Sequence, residues 1–277
     1  STSWIISWAR AHVSARAREI SSAAHARTHA RELSHEARRK PKKREAQRLR
    51  VRPLARLADG IVWKAVDKKS KETVALKKVF DAFQNATDAQ RTYREVHFLL
   101  KMRGHPNIIT LQHVMKADND RDLYLTFEFM DTDLNAAIKA NILEDVHKQY
   151  IMYQCFDALQ FMHACELVHR DMKPANLLLN SMCLMKVCDF GLARSVATWN
   201  DGGDVRDAIM TDYVATRWYR APEILVASSS YDYSVDMWSA GCILAECLLG
   251  KPAFTGVRVQ AHQHASMQAH QHASTQA

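Results

Sequence analysis

The sequence predicts an α+β fold in two lobes, a small antiparallel sheet carrying one helix and then a larger, mostly helical region. Three observations predict it. Gly60 to Val66 and Thr73 to Val79 are strand-like and joined by the polar turn DKKSKE, a hairpin pattern. Two later segments repeat apolar residues at helical spacing, and a long apolar helix near Val235 to Leu249 follows a strand pair around LLLNSMCLMKVC.

Taken in order, the hairpin is followed by DAQRTYREVHFLLKM at 88–102, which puts Tyr93, Val96 and Leu100 on one helical face. Residues 145–165 do the same with Ile151, Cys155, Leu159 and Met162. With 277 residues and 47% apolar content the chain can bury a real core, within the range of one domain or a two-lobed one. No apolar run reaches the roughly 18 residues of a membrane span. The best candidate, Ala240 to Gly250, is interrupted by Glu246, so the chain reads as soluble and without a membrane partner.

Charge is unevenly spread. Residues 1–50 hold 13 Lys and Arg against 4 Asp and Glu, so this stretch carries +9 of the net +8 and the remainder is −1. The basicity belongs to a tail, and no specific nucleic-acid binding is expected of the folded part. Its run RRKPKKR at 38–44 fits either a nuclear-import or polyanion patch or a solvated, disordered tail. Residues 257–277 form a second tail, within which QAHQHASM and QAHQHAST repeat from Gln260. His262, His264, His270 and His272 are of a metal-ligating type, yet a Gln/His/Ala repeat without a second ligand type reads as low complexity. The six cysteines form no CxxC pair and no secretory pattern precedes them, which points to reduced intracellular thiols and no zinc site.

The chemistry sits in the middle. VALK places Lys77 on a strand, where an ammonium can neutralise phosphate oxygens, and Glu95 on the next helix can pair with it. HRDMKPAN at 169–176 puts Asp171, Lys173 and Asn176 on a loop after a helix, and DFG at 189–191 adds a carboxylate after a strand. Phosphoryl transfer needs this inventory: a carboxylate to orient the attacking hydroxyl, an acid and an amide oxygen for Mg²⁺, and fixed cations for the phosphates.

VALK, HRD, DFG and APE in this order resemble the signature set of eukaryotic protein kinases. Lysine two residues after the HRD aspartate is similar to the serine/threonine class. TDYVATRWYRAPE at 211–223 resembles the activation segment of mitogen-activated protein kinases. DAFQNATDAQRTYRE and FEFMDTDLNAAI most resemble the branch called extracellular signal-regulated kinases seven and eight. The resemblance covers about Asp59 to Gly256.

It implies a bilobal kinase-like fold over 51–256, with a small lobe at 51–128, a hinge at 128–132 and a larger lobe at 133–256. It implies ATP and Mg²⁺ as cofactors, with Asp171 as catalytic base, Lys173 steadying the transferring group, Asn176 and Asp189 holding Mg²⁺, and Lys77 paired with Glu95. Gly60, Val62, Ala75, Lys77, Phe127 as gatekeeper, Glu128 and Met130 in the hinge, and Cys188 before the DFG aspartate would surround the nucleotide. Phosphates on Thr211 and Tyr213 would switch the enzyme on, the first received by Arg94, Arg170 and Arg194 and the second by Arg217 and Arg220. Arg220 also implies substrates with Ser/Thr-Pro sites. An upstream MAP kinase kinase or autophosphorylation would supply the phosphates, in the cytoplasm, the nucleus or both.

Two departures stand beside this. In the family's glycine-rich loop only Gly60 matches, with Ala55 and Leu57 at the other two glycines, and Pro53 removes a donor from the expected first strand. After GKPAFTG the family continues with helices where this chain has its repeat, so the larger lobe is expected to be incomplete, leaving Glu223 without its usual arginine and the 235–249 helix without cover. The alternative expectation is therefore a catalytically impaired kinase-like fragment that acts as a binding module or has no independent function.

Overall fold

The computed structural model describes residues 49–56, 60–68, 70–82, 84, 86–196, 217–226 and 232–256. Residues 1–48 and 257–277, Leu57, Thr211 and Tyr213 lie outside them, while Leu49 and Arg50, expected in the first tail, belong to a strand. The described chain divides into two units.

The first unit is built on a five-stranded antiparallel sheet: β1 (Leu49–Arg56), β2 (Gly60–Asp67), β3 (Thr73–Val79), β4 (Leu111–Lys116) and β5 (Leu123–Glu128), ordered β1-β2-β3-β5-β4. The expected β2–β3 hairpin forms. Its turn is closed by Lys71 N–H donating to the Asp67 carbonyl at 2.9 Å, with Lys71 at φ 63°. Pro53 does not prevent β1: it lies on an edge strand, where a register shift between Pro53 and Ala55 absorbs the missing donor.

Alternation across this sheet sorts its residues into two faces. One carries a core of Ala65, Val74 and Leu76, with Trp63, Met115 and Tyr124 packed on it. The other carries Val62 opposite Lys77 and Ala75 opposite Phe127. Gly60, read from sequence as a phosphate-loop glycine, meets a closer demand at the start of β2: a Cβ there would lie 2.0 Å from the Lys78 carbonyl oxygen.

Helix α1 (Ala86–Lys101) forms as expected, but its face is rotated from the expected one. Tyr93 is 67% exposed, while Thr92, Glu95 and Leu99 are buried. Thr92 and Glu95 are polar, so an apolar count cannot see the stripe they complete.

The second unit contains α2 (Leu134–Lys139) and α3 (Asp145–Ala164). It continues through a short strand pair, β7 (Leu167–Val168) with β10 (Arg194–Ser195), and a sheet ordered β6-β8-β9 from β6 (Thr132–Asp133), β8 (Leu177–Leu179) and β9 (Met185–Val187). The short helix α4 (Pro222–Leu225) and the longer α5 (Ser234–Leu249) follow. Asp133 caps α2 by accepting the Ala136 N–H at 2.9 Å, and Glu144 with His147 forms a capping box on α3. Ile151, Cys155, Leu159 and Met162 are all buried along α3, as their spacing predicts, and α5 packs on that helix. Burial lifts the Cys155 thiol to about 12, an inert packing group. Val168, Ala221 and Val235 form a small core that seats the APE segment. Ala240 and Ile243 are buried on α5, whereas Met237, Leu244, Leu248 and Leu249 are exposed on it. No described helix is long and apolar enough to cross a membrane.

Candidate active site

The site grows out of the loop between β7 and β8. Arg170 has φ 68°, a left-handed turn that a non-glycine residue adopts only when its surroundings hold it. The holding group is Asp236, a fully buried carboxylate in the first turn of α5 that the sequence reading missed. Its Oδ1 accepts the Arg170 N–H at 2.8 Å, and its Oδ2 accepts the His169 N–H at 2.8 Å and bonds His163 Nε2 at 3.0 Å. Nothing marked it in the sequence except an acidic residue inside an apolar helix.

His169 is fully buried and carries the loop's second anchor. The Asp171 N–H donates to His169 Nδ1 at 3.3 Å, so Nε2 bears the proton and donates to the Cys188 carbonyl at 3.0 Å. The ring meets Phe190 edge-on, with centroids 5.0 Å apart. The HRD and DFG segments are thus joined through one imidazole.

Asp171 is 8% exposed. Its Oδ2 accepts from Lys173 Nζ at 2.6 Å and from Asn176 Nδ2 at 3.1 Å, while Oδ1 takes no hydrogen bond from a described residue. Asn176 Nδ2 also donates to the Asp171 carbonyl at 2.8 Å, which orients the amide and leaves its Oδ1, a hard oxygen suited to Mg²⁺, turned from these bonds. The Cys188 N–H donates to the Asn176 carbonyl at 3.0 Å, tying β9's end to the same loop. Asp189 follows with φ 63°, a second left-handed carboxylate residue.

In the first unit, Val62, Ala75, Lys77 and Phe127 share one sheet face, an apolar wall with the Lys77 ammonium, 7% exposed, and with Lys64 opposite Ala75. That set fits a nucleotide, the wall suiting a base and the ammonium a phosphate. Glu128 Oε1 accepts the Thr110 N–H at 2.8 Å, fixing the end of β5. Glu95, on α1, is 5% exposed. Met130 and Cys188 are half-buried in the second unit.

Of the expected phosphate receivers, Arg170 and Arg194 converge: the Nη1 of each donates to the Leu192 carbonyl, at 3.4 and 3.3 Å. Arg94, on α1, donates to Gln90 Oε1 one turn back at 3.3 Å. Arg220 is buried and its N–H donates to the Arg217 carbonyl at 3.2 Å. Tyr219, between them, donates its hydroxyl to Glu246 Oε2 at 2.6 Å, and burial, followed by the Glu246 bond, pushes its pKa above the ordinary tyrosine value.

A base-like carboxylate with one oxygen held and one open, a lysine on it and an oriented amide beside it define a phosphotransfer class of site. Comparison with known proteins agrees. The model of the protein kinase domain matches residues 57–276, and the chain belongs to that family. The match starts near Asp59, where the resemblance begins, and its far limit takes in the repeat. Its relatives are MAP kinases. The chain is 62% identical over 199 residues to "Extracellular signal-regulated kinase 2" of Dictyostelium discoideum, covering 72% of this chain and 54% of that protein. It is 58% identical over 204 residues to "Mitogen-activated protein kinase 15" of Xenopus laevis, covering 73% and 34%. It is 57% identical over 201 residues to "Extracellular signal-regulated kinase 7" of Drosophila melanogaster, covering 72% and 22%. The chain spans about half or less of the length of these relatives. The family uses ATP and a divalent metal.

Proposed function

We propose that this chain carries the catalytic machinery of a MAP-kinase-type serine/threonine kinase, which transfers the γ-phosphoryl group of ATP to Ser/Thr-Pro sites of protein substrates. The observation that carries it is the Asp171 carboxylate, held through Oδ2 by Lys173 and Asn176 with Oδ1 open. Open Oδ1 is the atom to orient a substrate hydroxyl and accept its proton. Lys173, already on Oδ2, is placed to steady the transferring charge. Asn176 Oδ1 and the Asp189 carboxylate are the oxygens to hold Mg²⁺, and Lys77 is the cation for the phosphates. When bound, Mg²⁺–ATP supplies the phosphoryl group and a metal charge that offsets its oxygens.

Phosphates on Thr211 and Tyr213, from an upstream kinase or from the chain itself, belong to the same reading. Arg170 and Arg194, two cations brought to one carbonyl, support it as a receiving pair. A cytoplasmic or nuclear place of action belongs to the same proposal. The binding-module alternative is not favoured, because the relatives are MAP kinases by name and Asp171, Lys173 and Asn176 are joined by hydrogen bonds on one loop.

A thermal melt of the purified chain with and without Mg²⁺–ATP tests the reading. At about a hundred times the dissociation constant the nucleotide adds about 2.7 kcal/mol, a rise of a few degrees, and Asp189→Ala removes the rise. The same preparation should label a Ser-Pro peptide and spare its Ser-Ala counterpart. A cooperative melt that Mg²⁺–ATP does not move would sink the proposal.

A further inference from the structure

Strand β9 ends the β6-β8-β9 sheet, and its outer edge is covered by side chains at Met185 and by an isolated parallel bridge to Ile108 at Val187. Asn107 and Gln154, 4% and 3% exposed, supply those side chains. Asn107 Nδ2 donates to the Met185 carbonyl at 2.9 Å and to Gln154 Oε1 at 3.0 Å. Gln154 Oε1 also accepts the Met185 N–H at 2.9 Å, and its Nε2 donates to the Cys183 carbonyl at 2.9 Å. Backbone completes the seam: the Val187 N–H donates to the Asn107 carbonyl at 2.9 Å and the Ile109 N–H to the Val187 carbonyl at 3.0 Å.

We propose that Asn107 and Gln154 are positioning residues for Asp189, locking the register of β9 and so fixing the backbone from which that carboxylate projects. The inference rests on the kinase reading, which gives Asp189 the metal. Apolar burial cannot set this register alone. Met185 and Val187 are both fully buried, so a slip of two residues keeps the same alternation while moving the strand by about 7 Å. The two carboxamides answer the donor and acceptor of Met185 in one register. Asp189 stands two residues beyond Val187 and at φ 63°, so little slack separates the lock from the carboxylate.

The test uses the full chain with Asn107→Ala and with Gln154→Met, the second keeping the core filled should the first fold poorly. Amide hydrogen exchange is read at 187–189, with Ala240 to Ile243 in α5 as reference, and the Mg²⁺ concentration that half-saturates ATP binding is titrated. The expected result is faster exchange at 187–189 with α5 unchanged, and an Mg²⁺ requirement raised about tenfold at unaltered nucleotide affinity in saturating metal. Exchange that rises equally in α5, or stays at the wild-type level at 187–189, overturns the assignment by showing a merely structural role or none. If the unmutated chain takes no Mg²⁺–nucleotide, the kinase reading fails, and exchange at 187–189 still decides whether the lock exists.

Discussion

Asp171 and Asp236 are both buried carboxylates that meet the same loop, and they differ in how many of their oxygens the protein uses. Asp236 is fully enclosed, with both oxygens accepting from Arg170, His169 and His163. Asp171 is engaged through Oδ2 alone. A saturated carboxylate has nothing left to offer a substrate, so its contribution is the shape of the loop. A carboxylate held on one side keeps an acceptor for chemistry, and the bonds on its other oxygen restrict where that acceptor points.

The largest expected effect tests the open side of this contrast. Asp171→Asn removes the proton acceptor, and phosphotransfer to a Ser-Pro peptide should fall by on the order of 10³-fold, while the melting temperature moves by no more than a few degrees. Asp236→Asn should behave in the opposite way. It places an amide donor among backbone N–H donors in a fully buried site, at a cost of about 3–5 kcal/mol. Urea unfolding at an unchanged m value reads that cost. If Asp236→Asn unfolds like the parent chain, or Asp171→Asn is destabilised as much as it is inactivated, the division of labour between the two residues is wrong.

The contrast also explains what the sequence disclosed. Asp171, Lys173, Asn176 and Asp189 stood out in the sequence because phosphoryl transfer demands those residue types in short, ordered motifs. Asp236 was not, because its neighbours in sequence form an apolar helix and its partners lie 66 to 73 residues away. Asn107 and Gln154 were hidden for the same reason, being meaningful only once β9 lies between them. The β2–β3 hairpin was legible from two strand-like runs and the polar turn between them, whereas β4 and β5 were not marked. The face of α1 was misread because Thr92 and Glu95 are buried polar residues.

Asp122 supplies an intermediate case and the smallest effect. Like Asp236 it is saturated, its Oδ1 accepting the Asp81 N–H at 3.0 Å and its Oδ2 receiving Asn119 Nδ2 at 2.8 Å, but it also faces a cation, Lys78 Nζ at 2.7 Å. The Lys78 hydrogen bond, followed by the Asp81 N–H, holds its carboxyl at about 2 instead of the ordinary 3.8. Because the folded value is the lower one, the unfolded chain takes up this proton first as the solution is acidified. The stabilisation is complete above about pH 4 and is lost between about 4 and 2. Lys78 is shifted upward by the same bond, so its share is complete below 10.5 and is lost only as pH rises through the higher folded value. Lys78 is partly exposed, which limits the pair to about 1 kcal/mol. Asp122→Asn should therefore unfold in less urea than the parent at pH 7, and the gap should close as pH approaches 2. A gap that persists unchanged into acid would mean that the Asp122 side chain contributes through its shape and neutral hydrogen bonds, making it a smaller Asp236 rather than an ion-pair partner.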